Sequence, residues 1–133
     1  ISGNGVSGLI HMDAHLGTPN DDALRKVWYQ RVRKHFEFSN QITLKNFSEV
    51  KNTKWFSLNI YGCPRGADFI SISSCFLASQ VDDCFDSDGV GEVKGLKIDG
   101  KWNTEGHQDR LVKVDQEYLR NIGAISHSFR DLF

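Results

Sequence analysis

The chain has 133 residues, 39% of them hydrophobic and 25% charged, with opposite charges nearly cancelling to a formal net charge of −1. One domain over residues 1–133 is expected at this length, and nine Phe, three Trp and three Tyr supply the bulk for a core. The balanced charge gives no support to a globally basic nucleic-acid binder, and no apolar run reaches the ~20 residues of a membrane span, so the expectation is a soluble chain.

Residues 1–7, with Gly3 and Gly5, read as a loose arm leading into a strand at Gly8–His11. Thr18-Pro19-Asn20 breaks the chain. A helix is predicted over Asp21–Phe36: Asn20 is placed to cap it, Asp21 and Asp22 occupy its first turn, and Arg31, Arg33 and Lys34 its last turns. Leu24, Trp28, Val32 and Phe36 give that helix an apolar stripe, with a strand from Val27 to Ser39 as the competing reading. Beyond residue 40 the period becomes two, and strands are predicted at Gln41–Phe47, Lys54–Tyr61 and Phe69–Ala78. The last two are expected to pair as an antiparallel hairpin through the turn at Gly62–Gly66. Gly91–Ile98, Lys101–Asn103, Arg110–Asp115 and Ala124–Phe129 read as further strands, with a helical turn at Gln116–Asn121. The predicted class is α+β, mostly antiparallel: a sandwich or strongly bent sheet of about 6–8 strands with one N-terminal amphipathic helix, an all-β sandwich being the alternative.

The densest chemistry lies in Leu9-Ile10-His11-Met12-Asp13-Ala14-His15, where two imidazoles and a carboxylate at i, i+2 and i+4 fall on one face of a strand. Neutral imidazole and carboxylate are ligands for zinc or manganese, and three of them leave coordination positions open for water, hence hydrolysis. Asp109 or Glu105 would then serve as base, and His107 as a further ligand. The bland alternative is an ordinary half-exposed strand with Ile10 and Met12 toward the core and His11, Asp13 and His15 in solvent. The segment locally resembles the strand-end Asp-Ala-His metal motif of the arginase-type ureohydrolases, which implies divalent metals and hydrolysis. Gly17 stands where that motif carries Asp, and the chain lacks the several strands of the full α/β fold that hold those metals, so membership is not inferred. A fainter likeness, carried by Ile42–Val50, Trp55 and Tyr61–Gly66, is to the first strands of the meprin-and-TRAF-homology sandwich.

Two charged segments are candidate binding surfaces. Arg25, Lys26, Arg31, Arg33 and Lys34 crowd the predicted helix, and Asp82, Asp83, Asp86 and Asp88 form an acidic stretch. Asp86-Ser87-Asp88-Gly89 resembles part of a calcium loop, but the EF-hand register puts Gly95 where a bidentate Glu is required, which excludes that site. Cys63, Cys75 and Cys84 form no Cys-x-x-Cys pair. They favour an intracellular chain, against which stand the sequon Asn46-Phe47-Ser48 and the Ile at position 1, which suits a processed or excised chain. The functional expectation is a non-enzymatic, cofactor-free module that recognises a protein, or a glycan, through loops or a sheet edge, with nucleic acid disfavoured. The alternative is the small zinc- or manganese-dependent hydrolase.

Overall fold

The computed structural model describes residues 3–17, 19–41, 46–51 and 54–125. The elements run β1 (Ser7–His11), α1 (Ala14–Gly17), a 3-10 turn, α2 (Asp22–Arg31), β2 (Val32–Asn40), β3 (Lys54–Tyr61), β4 (Asp68–Cys75), α3 (Ser79–Asp86), β5 (Lys97–Ile98), β6 (Lys101–Trp102), a second 3-10 turn, β7 (Val112–Asp115) and α4 (Gln116–Ile125). Five strands form one open sheet in the order β1-β3-β2-β4-β7, and β5 and β6 form a separate two-stranded ribbon. The class is α+β, but the sheet is mixed and open rather than a sandwich: β2 and β4 are parallel, the other neighbours antiparallel.

Three expectations are corrected. The predicted helix Asp21–Phe36 stops at Arg31, where Val32 turns to extended backbone (φ −67°, ψ 140°) and β2 begins. A stripe at 24, 28, 32 and 36 suits a helix, but burying Phe36 and Phe38 on one face and His35 on the other requires period two, so packing overrides local capping. The Gly62–Gly66 turn does not close a hairpin. β3 lies between β1 and β2, and β4 crosses to the far side of β2, so the chain passes over one strand at that turn. Of the later predicted strands, Gly91–Ile98 forms only at Lys97–Ile98, and the strand expected from Ala124 is helical at Ala124 and Ile125, where the helical turn expected at Gln116–Asn121 extends into α4 (Gln116–Ile125). The predictions over residues 42–45 and 126–129 lie outside the described residues.

The sheet carries two cores. On one face Phe36, Phe38, Ile72 and Cys75 pack with Cys84 of α3, supported by Phe56, Leu58 and Val81. On the other face Trp28 of α2 and Leu119 of α4 pack with Val32, Ala67, Phe69 and Val114. The buried Gln80 of α3 donates to the carbonyls of Asn103 and Glu105 (both 3.0 Å) and accepts from the Phe76 amide, fastening the 103–105 loop to the helix. Gly106 completes that joint, because a Cβ there would lie 2.5 Å from the backbone of Asp83 and Cys84. Cys75 and Cys84 are buried as small core residues.

A candidate functional site beside the edge strand

Cross-strand partners share a face of the sheet, so the register determines what each face presents. One row across the sheet reads Ile10, Leu58, Phe36, Ile72; the row on the opposite face reads Leu9, Asn59, His35, Ser71, Val112. The second face is polar at its centre and nevertheless covered: Ser57, Asn59 and His35 are all buried. The alternation Phe56, Leu58, Ile60 against Ser57, Asn59 is thus correct as a period. It does not sort core from solvent, because α1, α2 and Asp13 roof the polar side.

Asp13, just past the end of β1, organises that roof. Its Oδ2 accepts from His35 Nε2 (2.8 Å) and its Oδ1 from the Ser57 hydroxyl. With Nε2 donating, the other ring nitrogen of His35, Nδ1, accepts from the Ser71 hydroxyl at 3.0 Å. Burial alone would raise the Asp13 carboxyl, but the hydrogen bonds from His35 and Ser57 and the charges of His35 and His15 together hold it below its ordinary value. His11 sits one strand position away. Its Nε2 accepts from the Asn59 amide (3.1 Å) and the Tyr61 hydroxyl (2.6 Å), so its Nδ1 carries the proton and donates to the Met12 carbonyl (2.9 Å). Trp28 Nε1 donates in turn to the Tyr61 oxygen (3.0 Å). His15, on α1, is buried against Trp28 with ring centroids 5.3 Å apart, and its Nε2 has no hydrogen-bond partner. Burial is the first cause that lowers its pKa, outweighing the charge of Asp13.

His11, Asp13 and His15 therefore do come together: one ligand atom from each lies within 4.8 Å of the others. They do not all face solvent, as the bland strand reading expected: His11 and Asp13 are half-buried and His15 is buried. The alternation is inverted, with Ile10 and Met12 outside and His15 buried. His107 does not join them; it orders its own loop, Nδ1 accepting from the Asp109 amide and Nε2 facing the Gly91 carbonyl, both at 3.0 Å. Glu105 pairs with Lys94. Five participants in this network escaped the sequence reading: His35, Ser57, Asn59, Tyr61 and Ser71. The signal available was the polar residue at alternate positions of strands rich in Phe and Ile.

The charged segments disperse. Arg25 is only 5% exposed, its guanidinium paired with Asp22 and donating to the His15 carbonyl, so it belongs to the packing of α1 on α2 and not to a solvated basic face. Arg33 leaves the helix altogether and donates to the carbonyls of Gln30, Arg31, Val32 and Cys63. Arg31 is half-buried at the end of α2, and Lys34 lies 4.8 Å over the Phe85 ring of α3. Asp82, Asp83 and Asp86 are exposed on α3, and Asp88 follows it with its carboxylate accepting from the Val90 amide (2.9 Å).

The remaining feature is the strand itself. Among the described residues β1 is an edge of the sheet, paired only with β3, and the apolar side chains along it are exposed: Leu9 is 54% exposed, Ile10 56%, Met12 61%, and Val6 just before it 72%. The opposite edge, β7, carries the exposed Lys113 and runs directly into α4. Among the described residues no helix is long and apolar enough to cross a membrane. Comparison with known proteins finds no matching family, no matching curated protein and no matching solved structure.

Proposed function

We propose that the chain is a protein-binding module whose edge strand β1 takes up an extended, apolar segment of a partner polypeptide. The observation that carries this reading is the unguarded edge: among the described residues no strand pairs with the outer side of β1, and Leu9, Ile10 and Met12 are exposed on both faces. Such an edge is ordinarily blunted by charge, proline or a bulge, because it templates pairing with another chain. β1 has none of these, and its pairing with β3 is in unbroken register from Ser7 to His11. An added strand would satisfy the free amides and carbonyls, while side chains alternating across the pleat would meet Leu9 on one face and Ile10 on the other. Selection of octapeptides from a random display library against the immobilised protein tests this. Alternating apolar sequences should be enriched and lose binding to Ile10→Lys; enrichment of sequences indifferent to Ile10→Lys contradicts it, as does failure to enrich any.

A second reading, a zinc- or manganese-dependent hydrolase, is favoured by the unpartnered Nε2 of His15 beside His11 and Asp13. Tetrahedral zinc would draw the donor atoms to about 3.4 Å from one another and displace the hydrogen bonds that now hold the ligating nitrogen of His11. Those hydrogen bonds contribute about 1 kcal/mol each, against roughly 10 kcal/mol or more for a structural zinc, so they do not forbid binding. The chemistry such an ion supplies is activation of water. Elemental analysis of tag-free protein, with His15→Ala as comparison, decides: zinc or manganese retained by the wild type and lost in the variant supports the metal, and equal content in both rules it out.

A further inference from the structure

A cavity of about 260 Å³ lies between the sheet, α2 and α4, on the polar face but beyond His35 from the edge strand. Glu37 and Ser71 belong to its floor, and its walls include Trp28, Tyr29, Phe69 and Tyr118. The three aromatic rings nearest the core form one cluster: Trp28 meets Tyr29 and Phe69 edge-on, each at 5.4 Å, and Tyr29 stacks on Phe69 at 6.2 Å. No lysine or arginine is among the lining residues. His35, a base that itself lines the cavity, has both ring nitrogens engaged, Nε2 donating to Asp13 and Nδ1 accepting from Ser71. Arg25, on the same helix as Trp28 and Tyr29, is paired with Asp22. Glu37 is thus a half-buried carboxyl group held by a hydrogen bond from the Ser74 backbone, facing aromatic walls in a cavity with no lysine or arginine on its lining and with His35 as the basic side chain beside it.

We propose that this cavity binds a small organic cation, an ammonium group on an apolar body, with Glu37 as counter-ion and the rings of Trp28, Tyr29 and Tyr118 around the charge. A carboxylate alone would suit any donor, and aromatic walls alone any apolar body. Together they select positive charge, because ring faces are electronegative and their attraction for a cation grows when water is excluded. The volume suits a ligand of one ring and a short chain, below drug size. This site is separate from the edge strand, so it stands or falls independently of the partner-binding reading.

Isothermal titration with 2-phenylethylammonium and with its anionic analogue 3-phenylpropionate, against the wild type and Glu37→Gln, tests the assignment. The ammonium should bind the wild type, with the anion at least about tenfold weaker and Glu37→Gln losing about tenfold for the ammonium alone. Equal affinity for both probes, absence of ammonium binding at millimolar concentration, or an unchanged affinity in Glu37→Gln overturns it. Should Glu37→Gln fail to fold, the pair of oppositely charged probes on the wild type decides the matter without it.

Discussion

The two faces of the five-stranded sheet are built from the same four strands and the same alternation, yet they do different work. On the α3 side Leu58, Phe36 and Ile72, inward of the exposed Ile10, need only shape and dryness, and their stability comes from apolar area removed from water. On the α2 side Asn59 and His35, inward of the exposed Leu9, are buried as well but carry donors and acceptors that call for partners. Asp13 meets that demand at one end, and at the other the aromatic cavity leaves Glu37 facing an open space. Polar groups brought under cover cost free energy unless they are hydrogen-bonded, and the bonds that offset that cost also fix their geometry.

That contrast is sharpest where the apolar face is broken. Ile72→Ala, at a fully buried position, should cost about 2–5 kcal/mol in denaturant unfolding, and a cost under ~1 kcal/mol would mean that this core is not well packed. Asp13→Ala should cost less, about 1–3 kcal/mol, because it orphans His35 Nε2 and the Ser57 hydroxyl without opening a large hole. Substituting Ser57 in the same background should then cost less than it does alone, since the two share one network.

The pH dependence separates the faces more finely. His15 has its pKa lowered in the fold, chiefly by burial, so the unfolded chain binds its proton more readily. Its contribution is present above the ordinary value of 6.5 and is lost as pH falls through the lower folded value. Asp13 has the same sign in a separate window, losing its contribution as pH falls below 3.8. Denaturant midpoints at a series of pH values should therefore decline in two stages, and His15→Gln should remove the upper one. A midpoint that does not fall between pH 7 and pH 5 contradicts the buried neutral imidazole. The smallest effect on the fold is expected at the edge, where Ile10→Lys changes an exposed side chain and should shift stability by under ~0.5 kcal/mol.

What could be read from the sequence followed the same division. The strand Lys54–Tyr61 was legible to the residue, because Phe56, Leu58 and Ile60 alternate without interruption. The helix ending at Arg31 was not, since Leu24, Trp28, Val32 and Phe36 satisfy a helical stripe as well as the real helix-to-strand junction does. Strand order was illegible for a different reason: a Gly- and Pro-rich turn signals a change of direction but not which neighbour the next strand will choose. The His-x-Asp-x-His cluster announced itself by spacing. Its connection to His35 and Tyr61 depends on contacts between residues 22 to 50 positions apart, which no local pattern encodes.

The central claim is that the outer side of β1 is a place for another strand. Hydrogen exchange at the amides of Ser7 to His11, followed with and without a saturating library-selected octapeptide, tests it most directly. The account predicts strong slowing at the β1 amides that do not bond β3, abolished by Ile10→Lys; unchanged β1 exchange, with new protection confined to α3 or the loops, would contradict it.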